Sequence, residues 1–279
     1  MIPDSHTLFK LPSSAYEKEL TTIHKALRLA SDRIRKLSSA GLIIHTKPDG
    51  SPVTNADLEV DGILREHLLE AFPEDGWLSE ERPDHPVRLR LSRVWILDPI
   101  DGTRPFTYSL PQFTISLALL NKGHLALGMI VNPATQEYYS AIQGMGAYLN
   151  GRILNHPAQT PSTSHAGSRP TFLVNPGSLP RNLFNEWKAS ARCPPILGSI
   201  AYSLGMVASG QVHGVINLGQ QYEWDIAAGA LIVQEAGGIV LDRHQRPISL
   251  NQLRPMVDGI IAVHPCAFPL VQRFLQSVP

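Results

Sequence analysis

The first half of the chain alternates helical and strand-like patterning. Leu20, Ile23, Ala26, Leu27, Ala30 and Ile34 recur at three- and four-residue spacing, which predicts an amphipathic helix from about Tyr16 to Leu37. A polar stretch follows, with Lys47, Pro48, Asp49, Gly50, Ser51 and Pro52, and reads as a loop. Thr54 or Asn55 would then cap a second helix running to about Ala71, with Val60, Ile63, Leu64 and Leu68 on its apolar face and Pro73 ending it. Trp77-Leu78-Ser79 reads as a short strand edge, Arg82 to Pro86 as a surface loop, and Val94 to Leu97 as a short buried strand. Phe113–Leu120, Leu125–Asn132 and Glu137–Ile142 read as consecutive strands, with turns at Asn121-Lys122-Gly123 and Pro133-Ala134, and Gly144, Gly146, Asn150 and Gly151 punctuate the end of this half.

The segment His156 to Pro170 is rich in Ser, Thr, Pro and Ala and is the natural linker. Beyond it, strands are expected near Thr171–Val174, Ile196–Leu197, Gly214–Asn217 and Gly259–His264. They alternate with helices near Leu179–Ala189, Ser199–Ser209, Asp225–Ala236 and Pro265–Gln276. This alternation predicts an α/β layer, with an α+β first half. Two domains are expected, 1–155 and 156–279, with a small-molecule cleft between them.

Composition narrows the classes. The 279 residues carry 24 Lys+Arg and 24 Asp+Glu, so the formal charge is zero. A neutral chain lacks the basic surplus that nucleic-acid polymers and anionic membranes require, and neither is expected as a partner. Hydrophobic residues make up 43% of the chain, enough for a large core and too many for disorder. Cys193 and Cys266 form no CxxC pair, which excludes a disulfide framework. No apolar run approaches the ~18 residues of a membrane span. Asp4, His6 and Lys10 stand where a signal peptide needs an apolar stretch, so a soluble, cytoplasmic protein is expected. The eleven histidines include no HxxxH or HExxH, and His213 and His264 read as structural or surface residues.

Four clusters carry candidate chemistry. Asp98-Pro99-Ile100-Asp101-Gly102-Thr103 puts two carboxylates three apart after a buried strand. Pro99 stiffens the backbone between them and Gly102 permits a tight turn, so both carboxylates and the Ile100 carbonyl can face one spot. Clustered hard oxygens suit Mg²⁺ far better than Zn²⁺. A helix starting after Gly102 would place amides beside the ion, and metal with amides describes a phosphate site. A DxxD alone also suits helix-capping aspartates in a turn. Glu80 and Glu81 follow apolar Trp77-Leu78, so one carboxylate could turn inward. Asp225, in Tyr222-Glu223-Trp224-Asp225-Ile226-Ala227-Ala228-Gly229, stands at a helix start, either as its cap or as a ligand. Asp57 falls in the first turn of the second helix, where a negative charge favours the helix dipole.

In combination these segments resemble the Mg²⁺-dependent phosphatases of the inositol monophosphatase superfamily. The likeness covers about residues 16 to 264. Trp95 to Thr103 is similar to the first family signature, and Trp224 to Gly229 through Glu235-Ala236-Gly237-Gly238 is similar to the second. Val53-Thr54-x-x-Asp57, Glu80-Glu81, Asn132-Pro133 and Gly144 through Gly151 fall in the matching order. The resemblance implies a layered α-β-α-β-α sandwich and two or three Mg²⁺ ions, with Li⁺ as an inhibitor. Glu80, Asp98, the Ile100 carbonyl and Asp101 would hold metal, and Asp225 would add a ligand from the second domain. Thr103, supported by Asp57 and with Glu80 sharing the work, would orient and deprotonate the attacking water. The amides of Gly102 and Thr103 would meet the phosphate, with Gly198, Ser199, Ala201 and Asp225 also lining the substrate. Lys47 and Asp49 would lie on a mobile loop.

The substrate implied is a small phosphorylated metabolite. Inositol monophosphate is the first choice, since Gly198-Ser199-Ile200-Ala201-Tyr202 resembles the inositol-type segment. Leu78-Ser79-Glu80-Glu81 and Lys47-x-Asp49-x-Ser51-Pro52-Val53-Thr54 resemble the 3'(2'),5'-bisphosphate nucleotidases, which are the alternative, and histidinol-phosphate phosphatase is a third choice. The inositol enzymes place a hydroxyl-binding glutamate seven residues before the metal aspartate, and Leu218 stands there. The apolar strands of the first half would serve a homodimer as well as a core.

Overall fold

The computed structural model describes residues 16–154, 169–196 and 198–276. Helix α1 (Glu17–Ala40) follows the predicted periodicity, with Ile23, Ala26, Leu27, Ala30, Ile34 and Leu37 buried, and stops at Gly41 in a positive-φ conformation. A hairpin of β1 (Ile44–Thr46) and β2 (Pro52–Thr54) comes next. The loop expected from Lys47 to Pro52 is the tip of this hairpin plus the first residue of β2. Strands of three residues are too short to show alternation, which is why the pattern hid them. Helix α2 (Asn55–Ala71) starts in a capping box. Thr54 accepts from the Ala56 amide, and Asp57 accepts from the Thr54 amide and hydroxyl.

Seven strands form the larger sheet, in the order β3 (Gly76–Ser79), β4 (Arg93–Asp101), β5 (Thr114–Asn121), β6 (His124–Asn132), β7 (Glu137–Ile142), β8 (Ala147–Leu149) and β9 (Arg152–Leu154). The β3–β4 pair is parallel and the rest are antiparallel. A five-residue helix, α3 (Thr103–Thr107), follows β4. The predicted strand Val94–Leu97 is thus the middle of a nine-residue one. Its alternation sends Trp95 and Leu97 toward α1 and α2, and Val94 and Ile96 toward the opposite face.

That opposite face packs on α5 (Ile200–Ala208) and α6 (Glu223–Glu235). The approach of α6 is close. A β-carbon on Gly128 of β6 would stand 2.8 Å from the Ala228 carbonyl oxygen. Beyond these helices lies a four-stranded sheet, ordered β10 (Phe172–Val174), β11 (Gly214–Asn217), β15 (Ile260–Val263) and β13 (Ile239–Leu241). Its outer face, with Phe172, Val174, Ile216, Ile261 and Val263, packs on Trp187 of α4 (Arg181–Ser190) and on Val271 and Phe274 of α7 (Phe268–Leu275). The result is five layers, α1/α2, sheet, α5/α6, sheet and α4/α7, as the α-β-α-β-α resemblance implies. A two-residue pair, β12 (Gln221–Tyr222) with β14 (Met256–Val257), sits at the entrance to α6.

Three expectations change. Ile196 belongs to no strand, because Pro194 and Pro195 supply no N–H to a ladder. Pro195 makes one isolated bridge to Val174, and Leu197 lies outside the described residues. Helix α6 starts at Glu223, so Asp225 sits inside its first turn rather than at its cap. The glycine-punctuated end of the first half is strand β8, turn and strand β9. Of the linker, residues 156–168 lie outside the described residues, as do Asp4, His6 and Lys10. No helix among the described residues is long and apolar enough to cross a membrane.

Candidate active site

The functional residues gather where β4 leaves its sheet. Pairing with β5 becomes irregular between Asp98 and Asp101, and Asp98 Oδ1 accepts the Ile100 amide at 2.9 Å, which closes a tight corner. Gly102 then takes φ 93°, the left-handed region. A β-carbon there would meet the Gln112 carbonyl oxygen at 2.6 Å, so glycine alone fits. Thr103 opens α3.

The sequence predicted that the carboxylates converge, and three of them do. Glu80 from the end of β3, Asp98 from β4 and Asp225 from α6 each offer an oxygen, and the three lie within 4.8 Å of one another. Burial, then Glu80 and the neighbouring aspartates, pushes the Asp98 carboxyl well above the usual carboxylate range. Asp225 is raised the same way, by burial and then by Asp101 and Glu80. Such a cluster of buried like charges calls for a cation.

Asp101 is placed differently from the expectation. It stands outside that 4.8 Å group, and its Oδ2 accepts from the Ser199 hydroxyl at 2.7 Å and the Ala201 amide at 2.6 Å. Burial raises its carboxyl to about 7 against these bonds. Ser199 and Ala201, expected at the substrate, are buried and turned to Asp101. Ser199 also caps α5 through the Tyr202 amide. Gly198 does line the cleft.

Thr103 Oγ1 lies 3.0 Å from Asp57 Oδ1 and 3.0 Å from the Ile100 carbonyl oxygen, two acceptors for one proton. Asp57 is 1% exposed, and burial raises its pKa against the bonds from Thr54 and Thr103. Of the hairpin residues, Lys47 reaches the site. Its Nζ is 2.7 Å from Glu80 Oε1 and 2.6 Å from Glu81 Oε1. Burial would lower the Lys47 pKa, but the two glutamates outweigh it and hold the ammonium well above the lysine range. Both members of the acidic pair therefore turn inward, and burial pushes Glu81 up to about 7. Asp49 stays at the exposed hairpin tip, where its Oδ1 accepts from the Ser51 amide and hydroxyl.

A cleft of about 790 Å³ opens over these groups. Besides Glu80, Asp98, Asp101, Thr103 and Asp225, it is lined by Arg104, Tyr108, Leu110, Gln112, Tyr222 and Trp224. Of this second set only Tyr222 and Trp224 fall within a segment that the sequence singles out. Arg104, a cation in the first turn after Gly102, was the available signal. The reading also missed two supports. Asp61 accepts from the Ser79 hydroxyl at 2.6 Å and from Arg82, and so anchors the strand end that carries Glu80. Arg88, 2% exposed, donates to Asp84, Asn251 and the Gln252 carbonyl, while Glu223 at the head of α6 accepts the amides of Asn251 and Gln252.

Residues 16–273 match the model of the inositol monophosphatase family. An inositol-1-monophosphatase of Mesorhizobium japonicum is 35% identical over 211 residues, covering 72% of this chain and 76% of that one. A histidinol-phosphatase of Chlorobaculum parvum is 32% identical, covering 81% and 85%. A 3'(2'),5'-bisphosphate nucleotidase of Aggregatibacter actinomycetemcomitans is 30% identical, covering 82% and 86%. Among solved structures, an inositol monophosphatase from Zymomonas mobilis superposes with a TM-score of 0.74 at 30% identity, covering 94% and 99%. The fold and the carboxylate-lined cleft define a metal-dependent phosphatase. The chain belongs to the inositol monophosphatase family.

Proposed function

We propose that the protein hydrolyses a small phosphomonoester by direct attack of water, with Mg²⁺ held by Glu80, Asp98 and Asp225. One observation carries this reading: three carboxylates from three separate elements meet within 4.8 Å at the cleft, and Thr103, which lines the same cleft, is backed by the buried Asp57. Oxygen donors alone, and carboxyls raised by burial and then by mutual repulsion, fit a hard divalent cation. When bound, Mg²⁺ offsets the charge of the phosphate, acidifies water and stabilises the leaving oxygen.

The chain's own groups do the rest. Asp57 accepts the Thr103 proton, which leaves the Thr103 oxygen free to accept a proton from water in turn. Glu80 shares the handling of that proton. The Gly102 and Thr103 amides open α3 toward the phosphate, and Gly198, packed against Pro105 of the same helix, lines the cleft beside them. Asp101 holds the Ser199 end of α5 through Oδ2 and lines the cleft beside the three carboxylates. The domain boundary is proposed between residues 155 and 156, so that Gly198 and Asp225 come from the second unit.

Inositol monophosphate is the first reading from the sequence, and two positions weigh against it. Leu218 is 2% exposed in an apolar core, and Glu223 is fully buried with its oxygens taken by the Asn251 and Gln252 amides. Neither can grip a sugar hydroxyl. The bisphosphate nucleotide and histidinol phosphate are therefore the favoured substrates. Phosphate release, assayed with Mg²⁺ and again after chelation, tests the reaction. Release that survives chelation, or that survives Asp98→Asn at saturating Mg²⁺, contradicts it.

A further inference from the structure

The cleft is larger than hydrolysis requires. A phosphate and its ions fill the carboxylate end of about 790 Å³ and leave space for most of an alcohol. The remaining lining is mostly aromatic and aliphatic, with Ser51, Arg104 and Gln112 as its polar members. Tyr222 and Trp224 are stacked with ring centroids 4.6 Å apart and planes 7° apart, and Tyr108, Leu110 and Ile196 share that lining. The carboxylates that line the cleft are Glu80, Asp98, Asp101 and Asp225, all at the metal end.

The stacked pair is fixed in place. Trp224 precedes Asp225 in the first turn of α6, and its carbonyl accepts from the Ser116 hydroxyl at 2.9 Å. Tyr222 is pinned on β12 opposite Met256. A rigid aromatic surface loses little freedom when another ring lies on it. A polyol laid on the rings would set its hydroxyls against carbon, with Arg104 and Gln112 elsewhere in the lining but no carboxylate outside the metal end. A flat ring would stack.

We propose that the outer cleft is a ring-stacking subsite built on Tyr222 and Trp224. It selects phosphomonoesters whose alcohol carries a planar heteroaromatic ring over polyol phosphates. The proposal rests on the phosphatase reading above. Two sources of such a ring match the relatives' names, a purine nucleotide and an imidazole alcohol. Arg104, the cation in the cleft lining, complements the second phosphate of the nucleotide.

The test compares kcat/KM with Mg²⁺ for adenosine 3',5'-bisphosphate, histidinol phosphate, inositol 1-phosphate and 2-glycerophosphate. At least one ring ester exceeds inositol 1-phosphate by tenfold or more, and which one does so separates purine from imidazole. In Tyr222→Ala the ratio of ring ester to inositol ester falls about tenfold, mainly through KM, and Tyr222→Phe restores it. Trp224→Leu replaces Tyr222→Ala if that variant does not fold. Preference for inositol 1-phosphate, or a ratio unmoved by loss of the ring, overturns the subsite. If no ester is cleaved, the phosphatase reading falls. Calorimetric titration with adenosine, imidazole and myo-inositol then decides the subsite alone. Saturable binding of a ring that weakens in Tyr222→Ala sustains it, and no binding of either ring overturns it.

Discussion

The hydroxyl of Thr103 stands 3.0 Å from Oδ1 of Asp57, 46 positions earlier in the chain. Asp57 Oδ2 is already occupied by Thr54, so the carboxylate that starts helix α2 also polarises the hydroxyl that starts α3. Thr103→Val removes the proton relay and keeps the shape. It should lower kcat by about 10²- to 10⁴-fold with a smaller change in KM. Steady-state kinetics with a thermal melt check this, and an unchanged kcat in a folded variant would remove Thr103 from the reaction.

Asp98→Asn should separate stability from function. Its carboxyl is raised by burial and by Glu80, Asp101 and Asp225, so removing one charge relieves repulsion in the metal-free protein. At pH 8 the metal-free variant should melt higher than metal-free wild type. Mg²⁺ should raise the wild-type melting temperature and leave the variant's nearly unmoved. Differential scanning calorimetry with and without Mg²⁺ reads both effects, and turnover should fall by several orders of magnitude.

Lithium should inhibit in competition with Mg²⁺, because a small hard cation fits the same oxygen cluster. The check is a Mg²⁺ titration at fixed Li⁺, in which the apparent Mg²⁺ requirement rises. Inhibition that Mg²⁺ cannot relieve would place Li⁺ elsewhere.

Lys47→Met should destabilise the metal-free protein by exposing Glu80 and Glu81 to each other. The ammonium now bridges both at 2.7 and 2.6 Å. Divalent ions should then restore more stability in the variant than in wild type. Equal Mg²⁺-induced shifts in melting temperature would show that Lys47 does not offset the pair's charge.

Two histidines set a pH limit away from the cleft. Burial lowers the pKa of His213, with His264 adding to the effect, and burial lowers His264. His213 Nδ1 accepts the Thr171 amide, a bond that only an unprotonated nitrogen makes. Folded pKa values below the ordinary 6.5 mean that the unfolded chain binds protons first. Their contribution is complete above about pH 6.5 and is lost as pH falls below it. Urea unfolding of wild type and His213→Asn between pH 5 and 8 isolates the term as a difference. A stability gap between the two that does not change with pH would refute it.

What the chain pattern disclosed was the periodic part. Helix α1 carries its core residues at helical spacing, and β5, β6 and β7 are predominantly apolar segments set off by turn residues. The Asp98–Thr103 corner was legible because proline, glycine and two carboxylates leave little conformational choice. The β1–β2 hairpin was not, since three-residue strands show no period. The bonds of Ser199 and Ala201 to Asp101 span 98 and 100 positions, so no local pattern announces them. The bond from Arg88 to Asn251 spans 163 positions and leaves no local trace.

The carboxylates and the outer wall of the cleft have different foundations. Asp98 lies within a strand buried on both faces, and Asp225 rides a helix wedged between two sheets, so neither can shift without repacking a core. Tyr108, Leu110 and Tyr222 are exposed and packed in none of the three cores. Substitutions at these three can alter the fit of the alcohol and leave the bond-breaking end untouched. A scaffold divided in this way can diverge in diet while conserving its teeth, and similar chains can come to be named for inositol, histidinol and nucleotide phosphates.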